Sequence, residues 1–251
     1  MTWQEINNKR LPFIRFGENV FKRMYGEIRK SFISSLQNLT TPEEITQSAI
    51  NFKIDEEIVR INFIRFYVKV GMAFAKDIQK GFRGRLETKQ EEDWERIIQE
   101  FVRTKTGMKI TKIIQTHYQD IIDITKQSVQ AGIENGWGMD KIARSISKSQ
   151  GKLDFWKALR IARTEVVAAS SEGIKVGAEE LPGNKEKVWI STFDQRSRPE
   201  HMAMDGVRVA FNEDFSVEGE ALEYPGDPKG SPGNIINCRC GYEIIVTPEI
   251  Y

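Results

Sequence analysis

The chain has 251 residues, 29% of them charged and 39% hydrophobic, with a formal net charge of +1. That is the composition of a globular protein with enough chain for one large core or two ordinary ones. The longest apolar runs, such as "VVAA" and "YEIIV", fall far short of the roughly 20 residues of a membrane span, and "MTWQEINNKR" lacks the apolar core of a secretory signal.

The charge is unevenly spread. Residues 1–150 carry 25 Lys/Arg against 19 Asp/Glu, whereas residues 151–251 carry 12 against 17. The basic excess concentrates between Arg96 and Lys126, where Arg103, Lys105, Lys109 and Lys112 lie close together. Such a run is either a stripe facing double-stranded DNA without sequence specificity or a solvated helix face, and both readings stay open.

In chain order, the first 150 residues read as helices with short breaks. "TTPEEI" is a start signal: Thr41 caps, Pro42 takes the first helical position and Glu44 completes a capping box. From Asp55 to Phe82, Ile58, Ile61, Ile64, Val68, Met72, Ala75 and Ile78 recur at helical steps. Val59, Phe63, Phe66 and Val70 add a second apolar face, which predicts a helix buried between neighbours. Another helix is expected from about Met108 to Gly132 through Ile110, Ile113, Ile114, His117 and Ile121. "ENGWG" should break it, and "MDKIARSISKS" reads as a short amphipathic helix. A second long helix is predicted to begin near Leu153, with Phe155, Leu159, Ala162, Val166, Ala169, Gly173 and Val176 as its stripe; "LPGNK" ends it.

The texture then changes. "KVWISTF" and "GVRVAF" read as strands, with a tight turn at Asp205-Gly206 before the second. A Pro/Gly-rich loop, "YPGDPKGSPG", follows, and "NCRCGYEIIV" closes the chain as a last strand. The expected fold class is α+β: a helical region over residues 1–135, then a small α+β module with short antiparallel strands over 136–251.

Few residues are equipped for chemistry. No serine sits in a G-x-S-x-G elbow and no G-x-x-x-x-G-K-[ST] loop occurs. Of the two histidines, His117 falls in a helical stripe and reads as packed or exposed, while His201 sits among charged and turn residues in "DQRSRPEHMAMDG". Cys238 and Cys240 are the only cysteines. One residue apart, they would close a very small strained ring, so they are not a structural disulfide. With His201 and an acid, Asp194 or Asp205, they could offer zinc four ligands. Alternatively both thiols pack as small buried residues while Arg239 pairs outward. A third constellation follows the order of the Arg, Ser-Thr and Glu-x-Glu elements of ADP-ribosyltransferases: Arg160 or Arg163, Ser191-Thr192, and Glu218-Gly219-Glu220. There the arginine would hold dinucleotide phosphates and Glu220 would orient the attacking group.

Taken together, "ALRIARTEVVAASSEG", "VWISTFDQRSRPEHMAMDGVRV" and "YPGDPKGSPGNIINCRC" resemble the phage Mu F-like domain of minor head proteins. The cues match in order: Arg163-Thr164-Glu165, Trp189, Asp194, Arg198, His201, Asp205-Gly206, Pro225-Gly226-Asp227-Pro228 and Asn237-Cys238-Arg239-Cys240, across about residues 140–247. The resemblance implies a tailed-phage or prophage head-morphogenesis protein. It would be a minor component of the procapsid or virion head, assembled in the bacterial host cytoplasm. It would associate with the portal and other head proteins and act in DNA packaging or ejection, with no established catalysis. Such modules also occur fused to toxin domains, for which a chain ending at Tyr251 leaves no expected room.

Overall fold

The structure, a computed structural model, describes residues 2–81 and 88–247. Six helices come first: α1 (Trp3–Ser35), α2 (Pro42–Asn51), α3 (Glu56–Gly81), α4 (Thr88–Thr104), α5 (Gly107–Glu134) and α6 (Met139–Glu179). Short strands and two one-turn helices follow: β1 (Asn184–Ile190), α7 (Pro199–Ala203), β2 (Arg208–Ala210), β3 (Phe215–Val217), β4 (Glu220–Leu222), α8 (Pro232–Ile235) and β5 (Gly241–Thr247). The fold is α+β, and no helix among the described residues is long and apolar enough to cross a membrane.

The capping box at the start of α2 forms as its residues dictate. The Thr41 hydroxyl accepts from the Glu44 amide, and the Glu44 carboxylate accepts from the Thr41 amide. In α3 the aromatic face, not the isoleucine stripe, is the core. Val59, Phe63, Phe66, Tyr67, Val70 and Phe74 are buried, while Ile61 is exposed and Ile58, Ile64 and Val68 are half-buried. The bulky rings fill the centre where three helices meet, and the isoleucines are left to its edge. Phe82, the expected last residue of this helix, lies outside the described residues.

The largest departure is α6. The break expected before Leu153 does not exist: the short amphipathic helix and the second long helix are one helix of 41 residues. The interruption offered by the sequence was a lone Gly151, which costs a helix only about 1 kcal/mol. Packing overrides that cost, because Asp154, just beyond it, is buried and ion-paired to Arg29 of α1. The expected stripe also turned out too narrow. Phe155 is exposed, whereas from Thr164 to Ile174 every residue is buried, so this stretch has no solvent face.

Such a helix needs neighbours on every side. It packs against α1, α3, α4, α5 and β5. Glycine makes the closest approach possible: a methyl group at Gly173 would sit 2.2 Å from the Gly71 carbonyl oxygen, and one at Gly177 2.6 Å from that of Ala75. The backbones of α3 and α6 therefore touch.

The strands form a three-stranded antiparallel sheet in the order β2-β1-β5, with Trp189 opposite Tyr242. A separate β3–β4 hairpin escaped the sequence reading. It turns at Glu218 (φ 51°) and Gly219 (φ 80°), the paired positive φ of a two-residue hairpin turn. The module is moored to α6 by polar contacts. The Tyr224 hydroxyl donates to Glu172 (2.6 Å), that of Tyr242 to the Ser171 carbonyl (2.9 Å), and that of Ser171 to the Pro225 carbonyl (2.9 Å). Tyr224 and Tyr242 join the core of the helices, while Trp189, Met204, Phe215, Val217, Leu222 and the two cysteines form a second, smaller buried cluster in the strand module. The expected boundary at 135/136 falls in the turn between α5 and α6.

Two outcomes follow from this packing. Gly173→Ala should lower the stability by about 2 kcal/mol in denaturant unfolding, because overpacking outweighs the roughly 1 kcal/mol that alanine gains in a helix interior. Burial pushes the Glu172 carboxyl up to about 7, against the pull of Tyr224 and Lys175. The folded state thus holds a proton that the unfolded state sheds near pH 4.5. Stability from this group is present below that pH and falls as pH rises to about 7, by about 3 kcal/mol. Glu172→Gln should remove that part of the slope when unfolding is measured across pH 4–8.

Candidate functional site

His201 lies on α7, whose first position is Pro199, and its position is fixed through its backbone. The Ser191 hydroxyl at the end of β1 donates to the His201 carbonyl. Asp205 accepts from the Ser191 amide at 2.7 Å, and Gly206 (φ 74°) returns the chain by donating to the Trp189 carbonyl. Trp189 is fully buried and stands edge-on to the imidazole, with centroids 5.7 Å apart.

The cysteines arrive differently from the expectation of an extended strand. β5 begins only at Gly241, and Cys238 and Cys240 belong to the turn before it. That turn is made by Asn237 in the left-handed region (φ 55°) and by the Cys238 amide donating to the Ile235 carbonyl. The Asn237 amide also donates to the Thr164 hydroxyl of α6 at 3.1 Å. The two sulfurs still face one centre. Cys238 Sγ lies 3.6 Å and Cys240 Sγ 3.5 Å from His201 Nδ1, and all three side chains are buried. Their donor atoms lie within 4.8 Å of one another. His201 Nε2 meets Asn234 Oδ1 at 3.2 Å, which orients the ring with Nδ1 toward the thiols.

The electrostatics favour one thiolate. The Cys238 thiol and the His201 ring directed at Cys240 draw its thiol well below the ordinary range, against the effect of burial, while Cys238 moves up. Beneath the cluster lies Arg10 of α1, only 2% exposed. Its Nη1 donates to the Cys240 carbonyl at 2.8 Å and its Nε to Ser170 at 2.8 Å. The same three donors, with Thr192, help line a cavity of about 10 Å³, and the buried Thr192 hydroxyl has no partner among the described residues. That is room for about one water.

Asp194 is the correction here. Its carboxylate does not join the donor set, because the Arg239 fork takes both of its oxygens, Nη2 at 2.6 Å from Oδ1. This contact holds Asp194 below the usual carboxylate range. Asp205 is likewise committed, to the Ser191 amide. Among the described residues the cluster therefore offers three protein donors, not four.

The other expected groupings separate. Arg103, Lys105 and Lys112 are exposed, but Lys109 turns inward to pair with the buried Glu165 at 2.7 Å. Glu165 also accepts from the Tyr67 hydroxyl. Ser191 and Thr192 are buried, and Glu220 accepts from the Ser231 amide at 2.8 Å. Arg163 lines a cavity that neither Ser191 nor Glu220 lines. His117 is packed, its ring centroid 4.5 Å from that of Tyr25, and burial drives it down to about 3. Arg10 and Asn234 were missed. The first had a signal: it stands in register with Ile6, Gly17 and Phe21 on the buried face of α1, where a charge needs a buried reason.

Residues 123–243 match the family described as phage Mu protein F like protein. Among curated relatives, the NAD(+)--arginine ADP-ribosyltransferase EFV of Enterococcus faecalis (strain ATCC 700802 / V583) is 29% identical over 150 residues, 57% of this chain and 30% of that protein. The uncharacterized protein YqbB of Bacillus subtilis (strain 168) is 27% identical over 146 residues, 57% of this chain and 47% of that one. The chain thus spans less than half the length of either. No solved structure matches it. The matched segment, just under half of the chain, runs from the middle of α5 to β5 and takes in all of α6, His201 and both cysteines, and over it the chain is similar to the phage Mu protein F-like family.

Proposed function

We propose that this protein belongs to a phage head-morphogenesis family and is a minor head protein of a tailed phage or prophage, portal-associated and acting in DNA packaging or ejection. The observation that carries the reading is the family match over the segment that contains the cluster and its support. In this role the partners are the portal and other head proteins, the place is the procapsid or virion head, and the chain is a structural component without catalysis of its own. The exposed Arg103, Lys105 and Lys112 suit weak contact with double-stranded DNA, of a kind that needs charge but no base readout.

The relative named as an ADP-ribosyltransferase favours a second reading, with Arg163, Ser191 and Glu220 as the catalytic set. Against it stand the commitment of the Ser191 hydroxyl to a backbone carbonyl and of Glu220 to the start of α8. Purification of procapsids from cells expressing the complete head gene cluster separates the readings. The protein should co-purify with the portal, in a ratio lost when the portal is deleted. Its absence from procapsids, together with NAD hydrolysis that Glu220→Gln abolishes, would favour the enzyme.

Within the head protein His201, Cys238 and Cys240 hold a zinc ion that clasps the module. Zinc–sulfur bonds of about 2.3 Å and zinc–nitrogen bonds of about 2.0–2.1 Å at a tetrahedral angle put sulfur and nitrogen roughly 3.6 Å apart. That is the spacing present between His201 Nδ1 and each sulfur. Nδ1 would ligate while Asn234 holds Nε2–H, the outer contact that fixes a metal-binding histidine. Protein purified without a histidine tag should contain one zinc per chain by elemental analysis. The metal should be lost in Cys238→Ser, and chelation should lower the melting temperature of the native protein. A folded preparation free of any metal would leave only a thiol clasp.

A further inference from the structure

Next to the cluster, α1, α6 and the loops around α7 and α8 enclose a cavity of about 820 Å³ with an unusual charge. Five arginines line it, Arg10, Arg163, Arg196, Arg198 and Arg239, and among the described residues no Asp or Glu does. Two are partly accounted for: Arg239 is paired with Asp194, and Arg198 donates to the Ile236 carbonyl at 2.7 Å. The side chains of Arg163 and Arg196 are exposed and have no hydrogen-bond or ion-pair partner among the described residues. Arg10 is 2% exposed, yet its Nη2 is buried without a partner.

We infer that this cavity binds the phosphate groups of an anionic ligand, with Arg10 at its buried end and Arg163 and Arg196 at its open side. Guanidinium forks match phosphate oxygens two at a time, and a phosphate carries up to two negative charges. Four guanidinium groups without a carboxylate partner exceed what the single charge of a carboxylate would balance. The volume lies in the range of small-ligand sites, enough for adjacent phosphates with a sugar. The ligand is either a stretch of nucleic-acid backbone or a small phosphorylated molecule, which present the same chemistry. The inference stands on the cavity alone and holds whichever role the protein has in the head.

Calorimetric titration with inorganic pyrophosphate at fixed ionic strength tests it. Binding should be measurable in the wild type and weakened by about tenfold or more in Arg163→Gln/Arg196→Gln, a loss of at least about 1.4 kcal/mol. Both side chains are exposed and unbonded, so this variant should keep the wild-type melting temperature. A triple variant at Arg103, Lys105 and Lys112, each to Gln, should bind pyrophosphate as the wild type does. Displacement of pyrophosphate by a short DNA duplex would assign the ligand to nucleic acid; failure to displace it would assign a small molecule. No binding of pyrophosphate, an equal loss in the triple variant, or tighter binding of malonate than of pyrophosphate would overturn the inference.

Discussion

Backbone contact between α3 and α6 is the constraint on which the rest depends. Gly71, Gly173 and Gly177 let the two helices meet without side chains between them, so α6 sinks to the centre of the molecule. A helix in that position cannot use the ordinary division between an apolar and a wet face. Its polar side chains must find partners inside, and between Thr164 and Glu172 it carries five that are buried. Each has one: Thr164 the Asn237 amide, Glu165 the Tyr67 hydroxyl and Lys109, Ser170 Arg10, Ser171 the Pro225 carbonyl, and Glu172 Tyr224. Buried polar groups are costly when unmatched, so these pairs fix how α1, α5 and the strand module dock.

The Arg163-Thr164-Glu165 run shows how one helical turn can serve three directions. Successive residues of a helix point about a third of a turn apart. Glu165 faces α3 and α5, Thr164 supports the cysteine turn, and Arg163 enters the arginine-lined cavity. This turn is thus a hub: the helix faces the core one way, the cluster another, and the arginine-lined cavity a third.

Helix positions driven by periodicity and caps were legible in the sequence. Thr41, Pro42 and Glu44 placed α2, and the turn at "ENGWG" fell where its glycines put it. The convergence of His201, Cys238 and Cys240 was suggested by their donor chemistry and strengthened by the resemblance, but no spacing rule links residue 201 to residue 240. Three things were not legible. The unbroken α6 required knowing that Asp154 meets Arg29, a contact across 125 residues. The removal of Asp194 from the donor set depended on Arg239 reaching it first. The buried role of Arg10 required seeing that the cysteine turn would present its carbonyls to α1. All three are tertiary facts that override a correct local signal.

Arg10 also sets an order of assembly. The hydrogen bond from its guanidinium to the Cys240 carbonyl spans 230 residues of sequence, and the histidine and cysteines are themselves 37 and 39 residues apart. Contacts of such separation form late, because the intervening chain must first be ordered. During synthesis α1 emerges long before its partner, and until residue 240 is released Arg10 has no carbonyl to meet. The Arg10 contacts can therefore form only once the first helix, the central helix and the turn at residue 240 are all in place.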